Sequence, residues 1–193
     1  DSATTTQKGI EMAVQYDLSS FEEDLGWASG FGIVANYTIQ EYSGGSAFYT
    51  SATRGTDIFN AINGVYDSAQ FVDVTSDRGL LDFSENAYNV AVYYEKYGLS
   101  ARLRYTWREA FRTEDTAAGA SLNSTLGFPV VTHDRGQLNA SISYDVNENL
   151  NLGLEAVNLT ESDITQSCVN EGAMLCAQGI TDRRITFGAS YRF

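Results

Sequence analysis

Seven stretches of this chain alternate between apolar and polar residues. A period of two puts alternate side chains on opposite faces of an extended strand, so each stretch predicts a β-strand with one apolar and one polar face. The clearest stretch is 183–193, where the apolar positions are Ile185, Phe187, Ala189, Tyr191 and Phe193. The other six predicted strands are 8–18, 30–42, 84–95, 99–111, 135–145 and 150–159. No helical periodicity competes with them, so the sequence predicts an all-β chain.

The connections between these strands alternate between short and long. The short ones are 96–98, 146–149 and, somewhat longer, 19–29, and the long ones are 43–83, 112–134 and 160–182. Strands of about ten residues cross a bilayer when tilted, and outer-membrane barrels have short turns on one side and long loops on the other. The pattern predicts an antiparallel transmembrane β-barrel with its long loops outside the cell. A soluble β-sandwich is the alternative, because its strands also alternate.

The polar positions fit a water-filled interior. Arg102, Arg104 and Arg108 share one face of a predicted strand, and each would cost about 2–4 kcal/mol against lipid at the midplane. We therefore expect these three side chains to face the lumen. Aromatic residues near strand ends on the apolar faces predict the girdles of a membrane barrel. They are Tyr37, Tyr88, Tyr94, Tyr105, Trp107, Tyr144 and Tyr191.

Seven strands do not close an antiparallel barrel. Bacterial barrels of a single chain have an even strand number, and an open sheet edge is not tolerated in lipid. Either the stretch 43–83 contains a further strand or the chain is part of a larger barrel. No signal peptide is present at Asp1, so we expect an export leader upstream or already removed, and this start favours the larger barrel.

Composition excludes several classes of function. The chain carries 25 carboxylates against 12 Lys and Arg, a formal charge of -13, which argues against nucleic acid as a partner. A hydrophobic content of 43% excludes a disordered acidic tail. No apolar run approaches eighteen residues, so no membrane helix is predicted.

The two cysteines and the single histidine are weak candidates for chemistry. Cys168 and Cys176 lie in a polar stretch, and a disulfide closing a loop is favoured over a redox or metal pair, because no His or third Cys is near. His133 precedes Asp134, but neighbours on a strand face opposite ways. We expect no metal site, no cofactor and no enzymatic activity.

The order and spacing of short motifs resemble the late strands of TonB-dependent outer-membrane transporters. The motifs are KGIE at 8–11, GFGIVANYT at 30–38, SENAYN at 84–89, YYEK at 93–96, ARLRYTWR at 101–108, NLNL at 149–152, EAVNLT at 155–160 and RRITFG at 183–188 running to YRF at 191–193. The resemblance covers nearly the whole chain except the loops. It implies a 22-stranded barrel plugged by an amino-terminal domain. Residues 1–193 would supply about its last seven strands, without the plug and the earlier strands.

The resemblance also implies an activity, a location and partners. Such a receptor lies in the bacterial outer membrane and imports a scarce ligand too large for a porin, when TonB pulls on the plug. The motifs are closest to receptors linked to complex carbohydrates. The expected partners are outer-membrane lipid, the rest of the same receptor, TonB through the absent amino-terminal part, and a glycan or small-molecule ligand.

The longest predicted loop, 43–83, holds the candidate ligand contacts. Aromatic rings beside carboxylates and amides suit sugars, which offer apolar C–H faces and hydroxyl rims. The candidates are Tyr49, Arg54, Asp57, Asn60, Tyr66 and Asp73. Only Arg54 and Arg78 are basic there, so strongly anionic ligands are less favoured on charge. The alternatives are a loop whose aromatic rings pack on one another, an iron-siderophore receptor, and a small stand-alone structural or adhesive barrel.

Overall fold

The computed structural model describes residues 6–43, 82–114, 130–168 and 174–193. Most of them form antiparallel strands, so the predicted all-β antiparallel class is confirmed. The described strands are β1 Thr6–Asp17, β2 Phe31–Ser43, β3 Asn86–Lys96, β4 Leu99–Arg108, β5 Phe111–Glu114, β6 Val130–Thr132, β7 Arg135–Asp145, β8 Leu150–Val157, β9 Ile164–Cys168, β10 Met174–Gly179 and β11 Arg184–Tyr191.

Seven strands form one open sheet in the order β1-β2-β3-β4-β7-β8-β11. They correspond to the seven alternating stretches of the sequence, and β7 has the predicted bounds. Each strand pairs with the next sheet strand along the chain, so the sheet is a meander, interrupted only by the residues of the long connections. Its two edges are β1 and β11.

The register of this sheet puts apolar residues opposite apolar residues from edge to edge. One row across it reads Tyr16, Ile33, Val92, Leu103, Ala140, Ala156 and Ile185. The neighbouring row on the other side reads Asp17, Gly32, Tyr93, Arg102, Ser141, Glu155 and Thr186. A slip by one residue would move every side chain to the opposite side, so this matching fixes the register. We call the two sides the apolar face and the polar face.

The fourth predicted strand is shorter than its sequence pattern suggests. The alternation predicted a strand to Phe111, but β4 ends at Arg108 and Phe111 opens β5 in a different sheet. The Arg108 guanidinium lies over the Phe111 ring, 3.8 Å from its centroid. This cation–π contact holds Phe111 beside a polar-face residue, so the alternation does not continue through it.

Strands β5, β6, β9 and β10 form a second antiparallel sheet in the order β10-β9-β6-β5. They lie between 111 and 179, almost entirely in the long connections 112–134 and 160–182, where the alternating pattern indicated no strand. These strands are only three to six residues long, and a bulge between Leu175 and Ala177 interrupts β10. They are too short and irregular to show a period of two. Because β6 pairs with β9, the β4–β7 connection is joined to the β8–β11 connection.

The connection between β1 and β2 is helical. It comprises a 3₁₀ turn Ser19–Phe21, the single-turn helix α1 Glu22–Leu25 and a 3₁₀ turn Gly26–Gly30. Lys96, at the end of β3, holds this connection through its Nζ, which lies 2.8 Å from Glu22 Oε1, 2.8 Å from the Gly26 carbonyl oxygen and 2.6 Å from Ser29 Oγ. Among the described residues, no helix has the length and apolar character to cross a membrane.

The described residues contain almost no apolar core. Their buried hydrophobic side chains are only Ala91, Val130 and Ala156. Large side chains of the apolar face are exposed instead, for example Ile10 at 64%, Leu103 at 47% and Phe187 at 68%. The sheet is thus held by its hydrogen-bonded ladders and cross-strand contacts, while its apolar face is open.

Candidate functional site

The three arginines predicted to share a face do share the polar face of β4. Arg104 lies opposite Ala91 and Asn139, and Arg108 opposite Ala87 and Arg135. All three side chains are exposed. Arg102 also approaches a neighbouring ring, with its guanidinium 5.9 Å from the Tyr93 centroid. The three arginines therefore share one face of the sheet, as the alternation predicted, whereas a water-filled lumen on that side stays a prediction.

A cavity of about 430 Å³ lies where the polar face meets the second sheet. Its volume is in the range of small-ligand sites. Strands β4 and β7 contribute its floor, β5, β6 and β9 its far wall, and the segment before β3 one side. The lining residues are Asp82, Thr106, Arg108, Phe111, Thr113, Thr132, His133, Arg135, Gln137, Ile164 and Gln166.

Arg108 is fixed in this cavity by three contacts. Its Nε donates to Ser84 Oγ over 2.7 Å, and its Nη2 donates to the Asp82 carbonyl oxygen. Its guanidinium rests on the face of Phe111. Ser84 is buried and in turn donates to the Glu109 carbonyl oxygen over 2.8 Å. The Arg108 head group is therefore held in one place by neutral oxygens.

Arg135 lies directly across the ladder from Arg108. Its Nε donates to the Ser162 carbonyl oxygen over 3.0 Å. In the part of the chain that the structure describes, the ion pairs are Lys96 with Glu22 and Arg183 with Glu161, and neither involves these two arginines. Two like charges placed opposite on one face repel each other. The cavity therefore has a basic end.

The rest of the cavity wall offers hydroxyl and amide groups. Gln166 Nε2 donates to Thr132 Oγ1 over 3.1 Å, and Thr132 Oγ1 also contacts Thr113 Oγ1. Thr106 and Gln137 form the next pair on the floor of the cavity, beside the two arginines. Such groups bind hydroxylated ligands through hydrogen bonds.

His133 enters the cavity wall as a structural link. Its Nε2 lies 2.6 Å from Ser167 Oγ, and Ser167 is only 3% exposed. The carboxylate of Asp134 accepts from Trp107 Nε1 over 3.3 Å, so it is engaged by the indole. A buried hydroxyl is not placed to attack a substrate, and the His133–Ser167 contact joins the end of β6 to β9.

A buried asparagine supports the segment that holds Arg135. Asn158 is 3% exposed and has a φ of 57°. Its N–H donates to Asn139 Oδ1 over 2.9 Å, its Nδ2 donates to Thr181 Oγ1 over 2.8 Å, and its Oδ1 accepts from the Ser162 N–H over 3.0 Å. Asn158 thereby positions the Ser162 carbonyl group that accepts from Arg135.

A second cavity, of about 580 Å³, surrounds the tight turn between β7 and β8. Its polar groups bond the turn itself: Asn147 Oδ1 accepts from the N–H groups of Asn149 and Leu150, each over 2.9 Å. Asn149 Nδ2 donates to the Arg192 carbonyl oxygen over 2.8 Å. These contacts have an architectural role, which is why we place the candidate site at the other end of the sheet.

Several predicted site residues lie outside the described ranges. They are Tyr49, Arg54, Asp57, Asn60, Tyr66 and Asp73. Cys176 is disulfide-bonded, and the sequence holds one other cysteine, Cys168, whose side chain is not among the described ones. Sequence reasoning missed Arg135, Thr132, Gln137 and Gln166. The signal for Arg135 was its parity in β7, which puts it on the same face as Gln137.

The site thus combines two arginines at opposed positions of the β4–β7 ladder with hydroxyl and amide groups, at the end of the sheet where the long connections begin. Phe111 and Ile164 also line the cavity, and most of its exposed lining is apolar, so the composition suits a ligand that has both polar groups and apolar faces. The resemblance to TonB-dependent transporters stays a prediction from sequence motifs. No family model, no curated protein and no solved structure compared with this chain matches it.

Proposed function

We propose that this chain is the carboxy-terminal part of the barrel of a TonB-dependent outer-membrane receptor, which imports a nutrient too large for diffusion pores. An oligosaccharide is the leading ligand class. The observation that carries the proposal is the exposed apolar face of the seven-stranded sheet. A large continuous apolar surface marks contact with a membrane or a partner.

The energetics favour hydrocarbon as the solvent of this face. Fully burying one Leu or Phe side chain contributes about 1.5–3 kcal/mol, whereas a whole domain is stable by only about 5–15 kcal/mol. Side chains such as Ile142, Leu154 and Ile185 are exposed on strand after strand, and no described element covers them. A sheet that left all of them in water would forfeit more than its margin of stability.

Aromatic rings border this face at both ends, which supports a bilayer of matching thickness. At the long-connection end, Tyr88 stacks with Tyr37 and Trp107, at centroid distances of 6.1 Å and 5.3 Å. At the short-turn end, Phe31 packs edge-on against Tyr94 at 4.9 Å. Aromatic girdles flank the apolar band of outer-membrane barrels in this way.

The stagger of the turns supports the strand tilt of a barrel. Tyr94, Ala101, Ile142 and Leu154 lie in one row of the sheet. The centre of the β3–β4 turn lies 3.5 residues beyond this row, and the centre of the β7–β8 turn, two strands further on, lies 6 residues beyond it. At about 3.3 Å per residue and 4.8 Å between strands, the two turns are offset by about 8 Å along the strands and about 10 Å across them. Both turns lie at the same level of a bilayer only if the strands tilt by about 40°. Outer-membrane barrels tilt by 35–45°.

The direction of the edge strands supports a larger barrel. Neighbouring strands of the sheet are antiparallel, so β1 and β11, first and seventh in its order, run in the same direction. An antiparallel ladder cannot join them directly. Closure therefore requires an odd number of further strands. The fifteen preceding strands that the resemblance implies meet this requirement, whereas these seven strands alone do not.

Transport is tested in the bacterium that carries the intact receptor. We expect deletion of the gene to abolish uptake of a labelled oligosaccharide that is too large for porins, and a protonophore to abolish it equally, because TonB is driven by the proton gradient. Uptake of a monosaccharide that passes through porins serves as the control. Oligosaccharide uptake that survives both treatments would contradict the proposal, and uptake of iron chelates in its place would select the siderophore alternative.

A further inference from the structure

Two arginines face each other across a ladder inside the cavity described above. Arg108 and Arg135 occupy directly opposed positions of β4 and β7 on the polar face. Each is anchored through its Nε to a neutral oxygen, Ser84 Oγ for Arg108 and the Ser162 carbonyl for Arg135. These anchors lie on opposite flanks of the pair, before β3 and after β8, and supply no compensating negative charge.

Asp82 is the one carboxylate residue among the described residues that line the cavity. Its contact with Arg108, however, is made by its main-chain carbonyl group. Two guanidinium groups against one carboxylate leave an excess of one positive charge among the described lining residues, with His133 counted as neutral. Placing like charges opposite each other costs stability, and a bound anion would offset this cost.

The chain as a whole is strongly acidic, with a formal charge of -13, so this basic end differs in sign from its surroundings. Charges more than about 8 Å away are largely screened at physiological ionic strength. The local excess therefore decides what binds within the cavity, while the net charge acts on the approach.

We propose that the cavity binds the carboxylate of an acidic sugar, with the carboxylate between Arg108 and Arg135. Arginine donates two parallel hydrogen bonds to a carboxylate. Arg135 suits this role because the hydrogen bond that anchors it uses Nε alone. Its two terminal amino groups therefore remain available to a ligand. Thr106 and Gln137, the next pair on the floor, and Gln166 on the wall offer hydrogen bonds to the ring hydroxyls. The inference rests on the proposed import of oligosaccharides and narrows the ligand to those that contain uronic acid units.

The first test needs only the unaltered receptor. Binding of trigalacturonate and of its methyl ester to the intact detergent-purified receptor is measured by calorimetry. The two probes share rings and hydroxyls and differ in charge. We expect trigalacturonate to bind at least tenfold more tightly at low salt, and the difference to shrink as salt is raised. Equal affinity for both probes, or no binding of either, would overturn the inference.

The second test locates the charge. We expect Arg135→Gln to weaken trigalacturonate binding at least tenfold and Arg135→Lys to weaken it less, because the lysine keeps the charge without the planar fork. Arg104→Gln is the matched control, on the same face of β4 but outside the cavity lining, and it should change affinity less than twofold. Equal losses in Arg104→Gln and Arg135→Gln would indicate a diffuse field and contradict a built site.

Failure of this inference differs from failure of the proposed function. Import of oligosaccharide that is unaffected by Arg135→Gln would refute the acidic-sugar site and leave transport standing. Binding of trigalacturonate that depends on Arg135, in cells that import no oligosaccharide, would establish the site and refute the transport role.

Discussion

At the scale of single residues, the structure assigns particular tasks to a few buried or crowded positions. The sequence predicted the face of Arg108 correctly, because the period of two in a single strand shows which of its residues lie on the same side. It did not reveal that Arg135 lies opposite, because the register of β4 against β7 spans the connection 109–134, and a long connection does not fix a register. The same is true of Asn158, whose partners Asn139 and Thr181 come from distant segments.

Asn158 should be a sensitive position for stability. Replacing it with Gly keeps the positive φ but leaves buried donors and acceptors without partners, at about 1–3 kcal/mol for each group. Asn158→Ala should cost about 1–2 kcal/mol more, since alanine tolerates the left-handed conformation poorly. Urea unfolding of the intact receptor in detergent measures both free energies. Equal stability of Asn158→Ala and the unaltered receptor would show that this network contributes nothing.

The Tyr105 side chain leaves no room for a Cβ at position 136. A Cβ added there would lie 1.8 Å from the Tyr105 hydroxyl oxygen, so Gly136→Ala should displace Tyr105 and lower the free energy of unfolding by about 1–3 kcal/mol. Gly188→Ala is the control, because an added Cβ meets nothing within 4 Å. In a Tyr105→Leu background the cost of Gly136→Ala should largely vanish. A cost that persists there would assign the glycine a backbone role.

Glu22 should make the stability of the β1–β2 connection depend on pH. The hydrogen bond from Lys96, and then its charge, lower the pKa of the Glu22 carboxyl below its usual value. A lowered pKa stabilises the folded state at pH values above the usual pKa of glutamate, and this contribution is lost as the pH falls through the lower folded pKa. Glu22→Gln should therefore melt lower than the unaltered receptor at pH 7 and equally at low pH. Glu23→Gln is the control, and a difference that persists at low pH would exclude this ion pair as its cause.

At the scale of elements, the sequence predicted the long strands and missed the short ones. The main-sheet strands have eight to thirteen residues, enough to display a period of two. Strand β6 has three residues and β9 five, so their pairing depends on tertiary contacts that no local pattern encodes.

The two faces of the main sheet should respond oppositely to charge. Leu103→Arg places a guanidinium on the apolar face, where lipid contact would cost about 2–4 kcal/mol near the midplane. Ser141→Arg places the same group on the polar face, between Arg102 and Glu155 in one row. The Glu155 carboxylate should offset the repulsion from Arg102, so this variant should be tolerated. The amount of folded, heat-modifiable receptor in the outer membrane measures both. Similar yields for the two variants would argue against a lipid-facing side.

At the scale of the whole molecule, the seven-stranded sheet is open among the described residues, with β1 and β11 at its edges. The twelve residues of β1 pair on one side only among the described strands, and an unpaired edge in a bilayer is costly. Under the proposed function, closure depends on strands that the rest of the receptor supplies.

Hydrogen exchange tests this closure. In the intact receptor, we expect the amides of β1 to exchange as slowly as those of β2, because both sides of β1 would be bonded. Strand β10, at the edge of the second sheet, is the internal reference for a free edge and should exchange faster. Exchange in β1 as fast as in β10 would show that β1 stays unpaired.

The pairing of β6 with β9 has an evolutionary consequence. Because every strand of the wall meets its successor in chain order, lengthening one connection costs little, about 0.6 kcal/mol for each doubling. The two connections that carry β6 and β9 are nevertheless tied by a shared ladder, so a change in one constrains the other. They should diversify, and be transplanted between receptors, as a single cassette.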